Sequence, residues 1–315
     1  MTMTAKTFGS YFSGFGGVDI GAKQAGLQLV FAVEYDPTLA AVYRQNLGDH
    51  VMIADVCKLD VSALPYVDVF HASPPCTNAS VANAKAGESP LDIAMAQAVC
   101  RYIVAKRPAI FTLENVYMYR KFEAWRIIAR ALLDNGYSYG YWHVNMADYG
   151  VPQTRKRMIV IAGRDGKTPM LPEATHAKEP VPGFFGTRKR WVSWYEAIED
   201  VHAQKTPYTN STKATAALEH VKGTALCGVN NTRNCDQPLT VRWQNEPAFS
   251  LRAGRSGAAL IKDNGVFYSV SNRQYARLQS FPDWYQLPVS KTLTAKGVGN
   301  AVPPLFAQKL YEEVI

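Results

Sequence analysis

The sequence predicts an α/β fold, a doubly wound, mostly parallel sheet followed by a smaller module, and three observations lead there. The first half alternates short apolar runs with amphipathic stretches, the pattern of βα units. That alternation stops after Gly163, where Pro169, Pro172, Pro180 and Pro182 crowd together and the chain turns polar. At 315 residues with 47% hydrophobic content, the chain can bury one large core and a small one.

Taken in order, the expected strands are Thr7 to Phe12, Leu29 to Val33, Val51 to Ala54, Val67 to Ala72, Ala109 to Leu113 and Met158 to Ala162. Helical patterns lie between them at Pro37 to Asn46, Ile93 to Lys106 and Phe122 to Asp134, the last closed by Gly136 in the C-cap position. From Gly163 to about Val270 the chain is Asn- and Arg-rich with isolated aromatics (Trp191, Trp194, Trp243, Phe249), a β-containing module without clear periodicity. Helical character returns over Gly299 to Ile315, and no internal repeat is present.

Composition narrows the function classes. The five cysteines (Cys57, Cys76, Cys100, Cys227, Cys235) are spread out with no Cys-x-x-Cys pair, so neither a disulfide framework nor a metal site is expected. No apolar run approaches the roughly 20 residues of a membrane span, and Met1 to Lys6 lacks the features of a signal peptide, so a cytoplasmic protein is expected. A formal charge of +8, with the basic excess mainly in the second half, favours a polyanionic partner.

Four strings carry chemistry. Phe12-Ser13-Gly14-Phe15-Gly16-Gly17 follows the first strand and opens a helical pattern, with Glu34 ending the next strand 20 residues after Gly14. Such a loop admits a nucleotide-like cofactor to the backbone, and the acid can bond ribose hydroxyls. The glycine spacing departs from the dinucleotide fingerprint and leaves nicotinamide cofactors and S-adenosylmethionine both open. Ser73-Pro74-Pro75-Cys76 sits at the end of Val67 to Ala72, where an open parallel sheet presents side chains to a ligand crevice. A thiol there is either a nucleophile activated by nearby positive charge or a small buried hydrophobe. Glu114-Asn115-Val116 ends its strand in the same way, so an acid and a thiol can share one pocket. Gln153-Thr154-Arg155-Lys156-Arg157, if extended, sends Gln153, Arg155 and Arg157 to one side; otherwise it is a solvated basic turn. The strings Arg277-Leu278-Gln279-Ser280-Phe281-Pro282-Asp283 and Gly299-Asn300-Ala301-Val302 have no chemistry that the residues alone reveal.

In order, FSGFGG, Glu34-Tyr35, Ala54-Asp55-Val56, SPPC, ENV, QTRKR, ARLQSFPD and GNAV resemble the ordered motifs of the DNA (cytosine-5) methyltransferases of bacterial or phage type, over nearly the whole chain. The resemblance implies a Rossmann-like S-adenosylmethionine-dependent domain, with Phe12, Gly14, Gly16, Gly17, Glu34, Tyr35, Asp55, Val56, Pro74, Asn300 and Val302 on the cofactor. It makes Cys76 the nucleophile at cytosine C6 and Glu114, holding or sharing a proton, the group that bonds N3 and the exocyclic amine. Arg155 and Arg157 then contact the cytosine O2 and steady the catalytic loop. The target base must be flipped out of the duplex at a cost of about a few kcal/mol.

The resemblance also makes the large domain discontinuous, residues 1–171 and 289–315, around a target-recognition domain of 172–288. Pro75, Ser80, Gln153, Arg233, Arg242, Arg252 and Arg255 are its substrate candidates, with Arg188-Lys189-Arg190 a further basic run, the partner is double-stranded DNA, a monomer is expected, and a cognate restriction endonuclease fits such a system. Thr77, Ala79, Ser10 and Gln274 depart from residues frequent in the family. Competing readings are an amino-methyltransferase of cytosine, whose motif has an aromatic residue where Cys76 stands, a tRNA methyltransferase of the same family, and a catalytically silent DNA-binding relative.

Overall fold

A computed structural model describes residues 6–75, 88–164, 166, 170–184, 186–202, 206–208, 218–219, 221–229, 240–253 and 258–315; Cys76, Thr77, Ala79, Ser80, Arg233 and Arg255 lie outside the described residues. The chain divides into two compact units, one of Met1–Val144, Lys156–Glu173 and Phe306–Ile315, the other of Asn145–Arg155 and Ala174–Leu305. Residues 145–155 and 289–305, which the sequence reading assigns to the large domain, therefore group with the second unit.

The first unit is built on β1 (Thr7–Tyr11), β2 (Gln28–Glu34), β3 (Val51–Ile53), β4 (Val69–Ala72), β5 (Ile110–Val116), β6 (Tyr137–Asn145) and β8 (Lys156–Arg164), in the order β3-β2-β1-β4-β5-β8-β6. β1, β2, β3, β4 and β5 pair in parallel, and β8 runs antiparallel to β5. The strand order turns at β1, with β2 on one side and β4 on the other, which is the switch point where open α/β sheets bind ligands. The core is apolar and aromatic: Tyr11, Phe31, Phe70, Tyr102 and Phe111 are buried together, Phe70 and Tyr102 with ring centroids 4.2 Å apart.

Local chemistry sets the helix ends. In α1 (Gly17–Gln24) the preceding Gly16 has φ 76°, and a side chain there would meet the Leu47 Cδ1 at 2.4 Å, so both backbone and space require glycine. In α2 (Pro37–Leu47) the Asp36 carboxylate accepts from the Thr38 N–H ahead of Pro37. In α3 (Pro90–Lys106) Ser89 and Asp92 form a capping box. In α4 (Glu123–Asp134) Trp125, Ile128, Ala129 and Leu132 turn inward, and Gly136 follows at φ 78°.

β5 continues through Glu114, Asn115 and Val116, whereas the sequence ends the strand at Leu113; the cause is β8, which pairs along it as far as Val116 opposite Arg157. β6 was not foreseen at all, because its polar and aromatic residues YSYGYWHVN lack an apolar run.

The second unit holds β7 (Gln153–Thr154), β9 (His176–Ala177), β10 (Val181–Gly183), β11 (Gly186–Arg190), β12 (Thr206–Pro207), β13 (Ala225–Val229), β14 (Thr240–Trp243), β15 (Ala248–Phe249), β16 (Ala258–Asp263) and β17 (Val266–Ser269). Among the described residues these form an antiparallel sheet in the order β12-β17-β16-β13-β14, a small sheet β10-β11-β9, and the pair β15-β7. Leu218, Val221, Ala225 and Cys227 make a small core. Near the carboxyl end come α5 (Asn272–Arg277), α6 (Lys291–Asn300) and α7 (Pro304–Val314), so the expected terminal helix is two helices interrupted before Pro304.

Two departures from the family pattern acquire structural roles. Gln274 forms the capping box of α5, its side-chain oxygen accepting from the Ser271 N–H at 2.9 Å, and its amide donates to the Val201 carbonyl at 3.1 Å. Ser10 donates to the buried Asp19 carboxylate at 2.8 Å.

Candidate active site

The glycine loop leaves β1 at the switch point. Phe12 ends the strand in the left-handed region, at φ 61°, and Gly14 follows at φ 55°. The Ser13 N–H donates to the Val33 carbonyl at 3.1 Å, and the Glu34 carboxylate accepts from the Gly14 and Asp36 N–H groups, each at 2.8 Å. Glu34 thus ties the ends of β1 and β2 together while keeping spare lone pairs. A Cβ built at Gly14 meets nothing within 4 Å, so the loop has open space above it. The Ser13 hydroxyl is buried without a hydrogen-bond partner among the described residues. Such a group is costly unless a ligand engages it.

Beyond β2, Tyr35 is 74% exposed. After β3, the Asp55 carboxylate accepts from the Cys57 N–H at 2.9 Å, and Arg101 of α3 donates to the carbonyls of Val56 and Cys57 at 3.0 and 2.9 Å. Arg101 therefore fixes the short loop that presents Asp55 and Val56.

The ends of β4 and β5 lie side by side, with Ala72 opposite Leu113. Asn115 donates to the Pro74 carbonyl at 3.0 Å, which holds the Ser73-Pro74-Pro75 segment beside Glu114. Glu114 is buried, and its Oε1 lies 2.9 Å from the Arg157 Nε. That oxygen has no aligned hydrogen bond, so the contact is an ion pair with an acceptor lone pair still available. Burial pushes up the described thiols, Cys100 to about 12 and Cys227 to about 11, with Cys57 also raised, so none of these is prepared as a thiolate.

Gln153 and Arg155 are buried, Thr154 and Arg157 intermediate and Lys156 exposed, and the three residues expected on one side do not share one environment. Arg157 meets Glu114 in the first unit. Arg155, 2% exposed in the second, donates to the carbonyls of Leu251 and Gly299 at 3.2 and 3.0 Å. Gln153 is fully buried: its amide nitrogen donates to the Leu278 carbonyl and the Gln279 side chain, and its oxygen accepts from the Leu251 N–H at 2.9 Å. Both ends of the amide are occupied, so Gln153 is a packing hub in this structure. Gln279 in turn donates to the Ala301 carbonyl at 2.6 Å. A side chain at Gly299 would strike the Ala253 nitrogen at 2.6 Å. Arg277 is clasped by Asp283, at 2.8 and 2.6 Å, and by Asp200. QTRKR, ARLQSFPD and GNAV are thus interlocked by side-chain to backbone bonds.

Asn300 is exposed at the end of α6, Val302 is buried just after it, Arg242 is half-buried and Arg252 is exposed, all in the second unit. Among the described residues no cluster of His, Cys, Asp or Glu is placed to hold a metal ion. No described helix is long and apolar enough to cross a membrane.

The family model for C-5 cytosine-specific DNA methylases matches residues 6–315. The chain belongs to that family. It is a DNA cytosine methyltransferase. It is 27% identical to a Type II methyltransferase of Neisseria gonorrhoeae, M.NgoFVII, over 97% of this chain and 85% of the relative. It is 28% identical to M1.HphI of Haemophilus parahaemolyticus over 98% and 86% of the two chains. The crystal structure of a Spodoptera frugiperda DNMT2 mutant shares the fold, with a TM-score of 0.70 at 17% identity over 97% of this chain and 98% of that one.

For this methylase, sequence reasoning brought Glu114 and Arg157 together and overlooked Ser13 and Arg101. Ser13 lies inside the glycine string, but only burial without a partner marks it. Arg101 sits on a helix far along the chain, and no local pattern singles it out.

Proposed function

We propose that this chain transfers the methyl group of S-adenosylmethionine to C5 of a cytosine flipped out of a specific double-stranded DNA sequence, through a covalent adduct of Cys76 at C6. The observation that carries this reading is the Asn115 to Pro74 bond: it draws the segment leading to Cys76 alongside Glu114, itself paired with Arg157.

The glycine loop fits S-adenosylmethionine, which when bound supplies an electrophilic methyl group. The space above Gly14, the unpartnered Ser13 hydroxyl, and the carboxylates of Glu34 and Asp55 suit a ligand with an amino acid, a ribose and an adenine amine. Phe12, Tyr35, Val56 and Pro74 would supply its apolar contacts, and Glu34 its ribose hydrogen bonds.

The chemistry follows from the poor nucleophilicity of cytosine C5. Addition of the Cys76 thiolate to C6 makes C5 enamine-like, while Glu114 at N3 and the exocyclic amine stabilises the charge that develops on the ring. Arg157 orients Glu114 and presents its remaining N–H groups to the base. After methylation the C5 proton leaves, the C6–S bond breaks by β-elimination, and the thiolate is restored. Arg155 acts at a distance, by holding the segment before β8. The second unit, with Arg242, Arg252 and the run Arg188-Lys189-Arg190, would read base edges and grip phosphates. The Type II designation of the relatives is consistent with a partner endonuclease for the same site.

Bisulfite sequencing of DNA from cells expressing the chain, with Cys76→Ser as control, tests the reading. Modified cytosines at one sequence context are expected with the native chain and none with the variant. A fully active serine variant would refute covalent catalysis by Cys76, and methyl groups on tRNA rather than duplex DNA would move the substrate assignment.

A further inference from the structure

On the first unit, immediately beyond the catalytic acid, a cluster of exposed aromatic and basic side chains has no role in the chemistry above. Tyr117 follows Glu114-Asn115-Val116 directly and opens the short 3-10 turn Tyr117–Lys121. Its ring stacks on His143 of β6 with centroids 3.7 Å apart and planes at 26°. Tyr141, two residues earlier on β6, meets the same imidazole edge-on at 6.1 Å. Tyr117 and Tyr141 are both nearly half exposed, and His143, Arg120 and Lys121 are exposed beside them.

The nearby acids are already engaged. Glu123 pairs with Arg126 at 2.9 Å, and the Glu88 carboxylate accepts from the Glu123 and Ala124 N–H groups. Among the described residues, no carboxylate lies within ion-pair reach of Arg120 or Lys121. Two cations with no carboxylate partner among the described residues and a hydroxyl, beside a stacked aromatic pair, form a surface that suits a phosphodiester chain, since Arg, Lys and Tyr are all common phosphate donors. The stack ties the start of the turn that carries both cations to β6.

We propose that Tyr117, His143, Arg120 and Lys121 form a phosphate-gripping platform for DNA, continuous with the strand end that carries Glu114 and independent of sequence. It rests on the DNA methyltransferase activity and adds to it a positioning role. The duplex would be held close to the acid whatever bases the second unit reads. Neither a membrane surface nor an acidic peptide accounts as well for a patch whose tyrosine stands three residues, and whose first cation six residues, after the catalytic carboxylate.

Binding of the full chain to two fluorescent duplexes, one carrying the methylated site and one scrambled, measured over a series of salt concentrations, tests this. The double variant Arg120→Ala/Lys121→Ala should weaken binding to both duplexes by the same factor. It should also lower the slope of log K against log salt by about 2, one per lost phosphate contact. Tyr117→Phe should preserve the stack and most of the affinity, whereas Tyr117→Ala should weaken both duplexes. Thermal unfolding of each variant separates misfolding from lost contact. The proposal is overturned if affinity and salt slope stay at the native values, or if only the cognate duplex is affected. A native chain that binds and methylates no DNA would instead remove the activity on which the proposal rests.

Discussion

Ser13, on the glycine loop of the first unit, buries a hydroxyl with no partner among the described residues, whereas Gln153, in the second unit, has both ends of its amide bound. Both lie in short strings of similar appearance. In the first unit the strings leave polar atoms with capacity to spare: Ser13, the lone pairs of Glu34, and the unaligned oxygen of Glu114. In the second, QTRKR, ARLQSFPD and GNAV consume one another, Gln153 with Gln279, Gln279 with Ala301, and Arg155 with Gly299. A recurring string is therefore not in itself a ligand site. Its polar atoms must first be accounted for, and only the unaccounted ones are available for chemistry.

The sharpest break in this contrast is expected at Glu114. Glu114→Gln keeps the size and should keep the fold, while losing about 10²- to 10⁴-fold in turnover, measured as methyl incorporation into duplex DNA. Turnover within threefold of native would remove Glu114 from the mechanism. Gln153→Leu should act in the opposite manner. Stranding the Leu251 N–H and the Leu278 carbonyl should cost roughly 2–4 kcal/mol in urea denaturation, with activity per folded molecule retained; a variant of native stability that no longer binds DNA would return Gln153 to the substrate.

A third test concerns two buried titratable groups in the first unit. Burial lowers His71 to about 3, and its Nδ1 contacts the Thr112 hydroxyl at 2.9 Å. Burial raises Asp19 to about 6, opposed by its hydrogen bonds from Ser10 and Tyr43. As pH falls below the ordinary histidine value of about 6.5, the unfolded chain takes a proton that folded His71 refuses, so stability drops. Folded Asp19 takes a proton between about 6 and its ordinary value, so its contribution rises over that window and offsets the loss. Asp19→Asn should expose the histidine effect, a decline approaching about 1.4 kcal/mol per pH unit between pH 6 and 4. An unchanged pH profile in urea melts would show that the two groups are not opposed in this way.

The smallest effect is expected at Ser13. Ser13→Ala removes a hydroxyl that no described residue engages, so stability should hold or rise slightly. Affinity for S-adenosylmethionine by calorimetry should fall roughly 3- to 10-fold, the value of one hydrogen bond. Unchanged affinity together with raised stability would make Ser13 a structural defect and not a ligand contact.

Much of the first unit was readable because its signals are local. The glycine loop, Glu34 and the proline-led segment before Cys76 each sit at the end of an apolar run, and a parallel sheet gathers such ends at one edge. β6 escaped because it is polar and aromatic, and the second unit because strands as short as Thr206–Pro207 and pairings such as Ala225 with Lys262 carry no periodicity that one segment reveals.

Order along the chain was enough to determine the reaction family, the parallel strands of the first unit and the approach of Glu114 to the segment Ser73-Pro74-Pro75. What tertiary structure decided was the destination of individual polar side chains. Arg155 and Arg157 are two residues apart and chemically alike, yet one pairs with Glu114 across neighbouring strands, and the other reaches carbonyls 96 and 144 residues away. A guanidinium buried by folding must find acceptors wherever the fold brings them, and distant backbone carbonyls leave no mark on the sequence around it.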